Sequence, residues 1–218
     1  GRFEEAAKGW GRRDVAERGM ASAIAKGRSN EEAVATVSKQ MRTFWVSALQ
    51  SSIFNHLLEE RIDAGTVDRL LEGDVAFRHE SRRSFLADAG MMAREDLAAQ
   101  VAAFELSPGG PILGPGMPQA TGAVLDSERA AFAAAGVDAT AFAGDGLDFK
   151  GTRRPYRVRL TNLELDSGFD DHGPYVRTAF DLPRGSYATV VLREIIGDEG
   201  VEAHRRDRRD RNAFKKEP

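Results

Sequence analysis

The sequence predicts an α+β fold, and three features carry the prediction. Apolar residues recur at three- and four-residue intervals from Val34 to Leu58, the spacing of one broad helical face. A stretch from Ser107 to Pro118 is punctuated throughout by glycine and proline. From Arg153 onward the apolar period shortens to two, the signature of strands with one buried face.

Taken in order, Gly1 to Arg28 is charged and spaced by glycines, and reads as a loop leading into a short helix from Val15 to Lys26. Ser29 and Asn30, followed by Glu31 and Glu32, supply an N-cap and first-turn acids, so a helix should start there. Val34, Val37, Met41, Phe44, Trp45, Ala48, Leu49, Ile53, Leu57 and Leu58 extend one helical face towards Ile62, with Gly65 as terminator. Val67 to Phe77 is mixed and ends in an Arg78-His79-Glu80 turn. A helix follows from Asp96 to Phe104, with Leu97, Val101 and Phe104 on one side. The glycine- and proline-rich stretch 107–118 reads as a long shaped loop without regular structure. An alanine-rich helix runs from Ser127 to Ala135, and the pattern breaks again between Gly144 and Gly151.

Beyond Arg153, Tyr156, Val158 and Leu160 alternate with Arg157 and Arg159, predicting one strand; Val176 to Leu182 predicts another. Gly168 to Gly173 makes a hairpin-like connection between them. Pro183 to Ser186 then turns into a helix from Tyr187 to Ile196 capped by Ser186. Two or three strands and one helix are too few for independent stability, so this part needs partners. Asp198 to Pro218 is charged in both signs and poor in apolar residues, which predicts a solvated tail.

With 218 residues, 41% hydrophobic and 30% charged, the chain lies in the globular range for one large domain or two small ones. It carries no apolar run long enough to cross a bilayer and no signal-like leader, so a cytoplasmic location is expected. It begins Gly1-Arg2-Phe3 without a methionine, as an excerpt or processed product would. The absence of cysteine excludes disulfides, thiolate zinc sites, iron–sulfur clusters and cysteine nucleophiles. A net charge of -3 argues against indiscriminate nucleic-acid binding, though a local basic face remains compatible with it.

His56, His79, His172 and His204 lack the spacing of a zinc site, so no metal is expected. No Gly-x-Ser-x-Gly elbow is present, and the 107–118 stretch lacks the Gly-Lys-Ser/Thr ending of a phosphate-binding loop. Asp170-Asp171-His172 reads as a hairpin tip before it reads as an acid/base site. The tail's arginines and lysines are as compatible with solvation as with RNA contact. Gly185-Ser186-Tyr187 is the richer feature. A helix start presents free N–H groups to an anion, and an aromatic there can stack on a base, although taken alone a core-packing tyrosine is the better reading and spacing does not decide it.

At that turn, Leu182-Pro183-Arg184-Gly185-Ser186-Tyr187-Ala188-Thr189-Val190-Val191-Leu192-Arg193-Glu194 closely resembles the carboxy-terminal signature of TruD-type pseudouridine synthases. Phe44 to Asn55, with Glu60-Arg61 after it, resembles the helix that opens the family's inserted domain. Phe104 to Gly114 resembles that domain's characteristic loop, and Glu128 and Arg153-Arg154 fall where family members carry similar residues. The blocks stand in the family's order between roughly Gly11 and Gly197.

The resemblance implies isomerisation of uridine to pseudouridine in RNA, in bacteria at position 13 of tRNA, with no metal or organic cofactor and with tRNA as partner. For the fold it implies a mostly helical inserted TruD domain plus the carboxy-terminal strands and helix of a pseudouridine synthase mixed-sheet catalytic domain. On that mapping residues 1–27 are a remnant of the catalytic domain, 28–152 the insert, 153–197 the catalytic domain's carboxy-terminal part, and 198–218 a charged tail. The family's catalytic aspartate lies in a Gly-x-Lys-Asp motif upstream of the insert, and an Asn-x-Phe ahead of Gln-Arg-Phe-Gly lines its pocket. The chain holds neither arrangement, and Gly1-Arg2-Phe3 would follow directly on the second. The resemblance therefore places the catalytic aspartate upstream of this chain.

Tyr187 is the one active-site position carried over, as a residue packing on the target base, where family members more often have phenylalanine. Ser186, Arg184, Arg153 and Arg154 are expected to line the RNA-facing side. Arg193 is expected either to orient the catalytic carboxylate or a phosphate, or to form a buried structural ion pair. The alternative function is a non-catalytic TruD-like RNA-binding or ribosome-assembly protein. A structural α+β domain without an RNA role is the more general alternative.

Overall fold

The computed structural model describes residues 2–11, 14–138 and 149–197. The chain divides into two compact units, Gly1–Arg157 and Val158–Pro218. The charged tail expected at 198–218 lies outside the described residues, as does most of the break expected between Gly144 and Gly151.

The first unit begins with α1 (Phe3–Gly9), where a loop was expected, and α2 (Val15–Ala25). Ser29 starts α3 (Asn30–Ala35) with a capping box: its hydroxyl accepts the Glu32 N–H at 3.2 Å, and the Glu32 carboxylate accepts the Ser29 N–H at 3.0 Å. The single helix expected from this cap to Ile62 is broken. The Thr36 hydroxyl donates to the Ala33 carbonyl at 2.6 Å, Val37 turns inward, and Ser38 re-caps the chain by accepting the Met41 N–H at 3.2 Å. The 25-residue α4 (Lys39–Asp63) starts there. It buries Gln50, Ile53, Phe54 and Leu57, while Phe44, counted on the apolar face, is 64% exposed. The N–H groups of Gly65 and Thr66 close its end on the carbonyls of Ile62 and Arg61, as in a Schellman motif.

Next come β1 (Val75–Arg78), β2 (Arg83–Leu86), α5 (Ala89–Met92), α6 (Leu97–Ala102), β3 (Leu106–Ile112), α7 (Gly122–Ala134) and β4 (Thr152–Pro155). The strands form one antiparallel sheet in the order β2-β1-β3-β4. Two clusters fill the core. Ile53 and Leu57 of α4 meet Leu113, Met117, Ala131 and Phe132, and Leu70, Ala76, Leu97, Val101 and Leu106 pack together nearby.

The main correction to the sequence reading is β3. Leu106–Ile112 is a strand in the middle of the sheet and almost wholly buried, in the stretch expected to be irregular. It tolerates its prolines because it changes partner: β1 pairs with Leu106 to Pro108 and β4 with Gly109 to Ile112. Each half then has one ladder to fill instead of two. Its glycines admit neighbours. A Cβ on Gly110 would lie 2.4 Å from a Tyr156 ring carbon and 2.7 Å from a Phe54 ring carbon. Those two rings pack against the bare strand with centroids 5.2 Å apart.

The strand expected at Tyr156 to Leu160 is also displaced. Sheet pairing ends at Pro155, and Arg157 donates to the Val101 carbonyl at 2.9 Å with its guanidinium 4.6 Å from the Phe104 ring centroid. This anchorage takes the side chain away from the alternating pattern that the sequence suggested.

The second unit holds the antiparallel hairpin β5 (Thr161–Asp170) and β6 (Gly173–Asp181), followed by helix α8 at 188–197. The Asp170 carboxylate accepts the His172 N–H at 2.8 Å, the turn chemistry expected of Asp170-Asp171-His172. Leu165, Phe169 and Val176 share one face of the hairpin by register and are exposed. No described helix is long and apolar enough to cross a membrane.

Gly110→Ala should lower stability by about 1–3 kcal/mol, the usual cost of overpacking a filled core. Urea unfolding followed by tryptophan fluorescence measures it, and an unchanged midpoint would show that the Phe54 and Tyr156 rings have room to retreat.

Candidate nucleic-acid interface

Of the six positions the sequence singled out, Arg153 and Arg154 belong to the first unit and Arg184, Ser186, Tyr187 and Arg193 to the second. Alternation along β4 sends the two neighbouring arginines to opposite faces. Arg153 is 3% exposed, and its side chain is fully buried. It donates to Glu128 at 2.5 and 3.0 Å, to the Pro118 carbonyl at 2.7 Å and to the Gly109 carbonyl at 3.3 Å. Arg153 is therefore an internal strut and not an RNA-facing residue, because its side chain is buried and each guanidinium nitrogen is bonded inside the unit. A buried guanidinium needs such saturation to offset its lost hydration.

A second buried pair lies close by. Arg61 of α4 is ion-paired with Asp74, whose other oxygen accepts the Leu71 N–H at 2.7 Å. Arg61 also lies 5.9 Å from the Tyr156 ring centroid. Burial pushes the carboxyls of Asp74 and Glu128 upward, and the facing guanidiniums pull against that shift. Burial likewise raises the Tyr156 hydroxyl. Gln50 completes the internal polar set by donating to the Leu113 carbonyl at 2.6 Å. The sequence blocks contain Arg61, Glu128 and Arg153, but their spacing alone does not reveal which of them pair.

Arg154 points outward. It is exposed and lies over the Phe54 ring at 5.1 Å, which holds the planar guanidinium in place and leaves its edge accessible. Such a side chain suits a phosphate or a base.

In the second unit the turn expected before α8 is present. The Ser186 N–H donates to the Pro183 carbonyl at 3.1 Å, and Gly185 has φ +92°, a conformation costly for any residue with a Cβ. Tyr187, immediately ahead of α8, is 72% exposed. Within these residues it is not a core tyrosine, and its ring is available for stacking. Arg184 and Arg193 are exposed and Ser186 is half-buried.

One polar cluster escaped the sequence reading. The His79 imidazole lies 2.9 Å from the Ser107 hydroxyl and edge-on to Phe77 and Phe104, with Arg157 close by. Ser107 is fully buried, so the pair cannot meet a substrate as a nucleophile and its base. Burial first, and then the Arg157 charge, hold the His79 pKa below its usual 6.5. Among the described residues no group of three or more His, Asp or Glu is gathered as for a metal ion.

The fold has a solved counterpart. A solved structure from Methanosarcina mazei assigned as tRNA pseudouridine synthase D (TruD) superposes on 88% of the chain with a TM-score of 0.68 and 26% identity, using 46% of its own length. The fold is that of a TruD-like α+β protein. The family model described as tRNA pseudouridine synthase D (TruD) matches residues 1–195. The tRNA pseudouridine synthase D of Geobacter sulfurreducens is 37% identical over 171 residues, covering 78% of this chain and 40% of the relative. That of Syntrophotalea carbinolica is 32% identical over 198 residues, covering 89% and 47%. The chain belongs to the TruD family, and it spans about two fifths to one half of the curated relatives it matches.

Glu128→Gln should cost about 3–5 kcal/mol, because it leaves Arg153 buried beside a neutral group. Adding Arg153→Met should recover part of the loss, and strictly additive effects in denaturant unfolding would contradict the pairing. For His79 the unfolded state binds the proton more tightly than the folded state. Its contribution is therefore present above about pH 6.5 and lost as the pH falls from there through the lower folded pKa. His79→Gln should lose less stability than the parent between about pH 7 and about pH 5; equal losses would remove His79 from the acid response.

Proposed function

We propose that the chain serves as part of a tRNA pseudouridine synthase that isomerises uridine, at position 13 of tRNA, to pseudouridine in the cytoplasm. Tyr187 carries the reading: it is exposed at the start of α8, within the Leu182 to Glu194 signature of a family whose model matches residues 1–195. The chemistry requires a target uridine flipped out of its stack, cleavage of its glycosidic bond and rejoining through carbon 5, with an aspartate acting on the nucleoside. Flipping leaves both faces of the base without neighbours. An aromatic ring at the mouth of the pocket replaces one of them, a contact worth about 1–3 kcal/mol per base.

In this reading Arg184 and Ser186 contribute donors beside the ring, and Arg154 contacts the RNA from the first unit. Arg193 orients the carboxylate or a phosphate. The family's Gly-x-Lys-Asp motif is absent from these 218 residues, so the chain supplies fold and RNA-facing surface without the attacking carboxylate. In this reading β4, which pairs with β3 and carries the Arg153 strut, is counted with the insert although it lies beyond residue 152. The exposed apolar face of β5 and β6 supports a place for the hairpin in a larger sheet. A second reading is a TruD-like protein that binds RNA without acting on it.

Pseudouridine formation in a tRNA transcript separates the two. The product of the complete reading frame should form it and this chain alone should not; activity of the chain alone would refute the reading of the absent aspartate. Tyr187→Ala in the complete protein should reduce turnover by roughly five- to 150-fold while leaving the unfolding midpoint in place, since a stacking loss of about 1–3 kcal/mol falls on the reacting complex. Unchanged turnover would take Tyr187 out of the site.

A further inference from the structure

We infer that the end of the β1–β2 hairpin is a docking point for the phosphodiester backbone of RNA, contacted by Arg78, Arg82 and Arg83; this rests on the reading of the partner as RNA. Arg78 and Arg83 are register partners, directly across the two strands. Like charges in that relation destabilise a hairpin. Carboxylates would normally offset them, but among the described residues no ion pair within 4.0 Å involves Arg78, Arg82 or Arg83.

The turn adds a second, independent cost. Arg82 has φ +56°, a left-handed conformation that glycine adopts freely and a long side chain does not. The sequence thus places arginine both where glycine would relieve the backbone and where an acid would relieve the charge. Both choices make sense if the side chains meet an anion from outside.

The geometry suits a phosphate. Arg78 is half-buried with its guanidinium 5.6 Å from the Phe85 ring centroid, so its plane is fixed, while Arg82 and Arg83 are exposed. A fixed, planar fork of donors fits phosphate oxygens in a way that a mobile ammonium does not. On the sheet's other side the Arg157 guanidinium adds positive charge near His79. Glu80 in the turn and the exposed Glu105, whose carbonyl accepts the His79 N–H at 3.0 Å, are the acids nearest in the chain and its pairing. They leave the hairpin end with three guanidiniums to one carboxylate in residues 78–83. No group there is arranged to read base edges, so the contact is to the backbone and indifferent to sequence.

The test is equilibrium binding of the 218-residue chain to a tRNA transcript, by fluorescence anisotropy over a range of KCl concentrations. Arg82→Gly and Arg83→Gln, singly and together, are the variants; Arg82→Gly relieves the backbone, so a folding defect cannot imitate the result. Each substitution should weaken binding several-fold at low salt and reduce the slope of log affinity against log salt by about 0.7–0.9, equally for tRNA and for an unrelated structured RNA. A double variant with the parent's affinity and slope would overturn the inference, as would a parent chain with no salt-dependent RNA binding. Pseudouridine formation by the complete protein is scored separately: its absence beside intact, arginine-dependent RNA binding would refute the enzymatic reading and leave the docking point standing.

Discussion

The first unit depends on one buried interaction, the guanidinium of Arg153 against the carboxylate of Glu128. A charge this deeply buried is tolerable only when its donors are matched, and the match here draws on four parts of the chain. β4 supplies the arginine, α7 the carboxylate, β3 the Gly109 carbonyl, and the segment between β3 and α7 the Pro118 carbonyl. None can shift without leaving an ion unsatisfied, which makes the pair a constraint on register more than a source of net stability. The Arg61–Asp74 pair ties α4 and the start of β1 to the same region. Once Arg153 is fixed inward, Arg154 must point outward, over Phe54. The ion pair therefore also sets the orientation of an arginine that is exposed at the surface.

Local chemistry was legible in the sequence wherever it depends on near neighbours. The capping box at Ser29 and Glu32, the terminator at Gly65, the turn at Asp170 to His172 and the turn into α8 all rest on bonds spanning a few residues. β3 was not legible, because what makes Leu106–Ile112 a strand is supplied from elsewhere. β1 and β4 share it end to end, and Phe54 and Tyr156 occupy the space its glycines leave. Glycine and proline normally argue against a central strand, and here tertiary packing overrides that preference. β1 and β2 were missed because strands of four residues give no period to read.

The candidate site was legible in part, for a related reason. The Leu182 to Glu194 block places Tyr187 at a helix start, and among the described residues the ring there is exposed. Arg153 and Arg154 could not be told apart by their residue type. Adjacent arginines on a strand differ only in the face they take, and that face is set by a glutamate 25 positions away. Family resemblance marks such a pair as significant without saying which member is structural. The burial of one and the exposure of the other supply that distinction.

The two units differ in how they use apolar surface, and the difference bears on function. The first packs aliphatic residues into two clusters, and of its arginines Arg153 is locked inside while Arg78 and Arg154 are held over aromatic rings. The second leaves Leu165, Phe169 and Val176 exposed on a two-stranded hairpin, a structure with little stability of its own in water. In the proposed stacking role the Tyr187 ring has to be held to within a fraction of an ångström, which an isolated hairpin and one helix do little to secure. Covering the hairpin's apolar face within a larger sheet would stiffen α8 and its preceding turn. Folding of the second unit and competence of its aromatic residue are then one physical problem, because the contacts that stabilise the strands also position the ring.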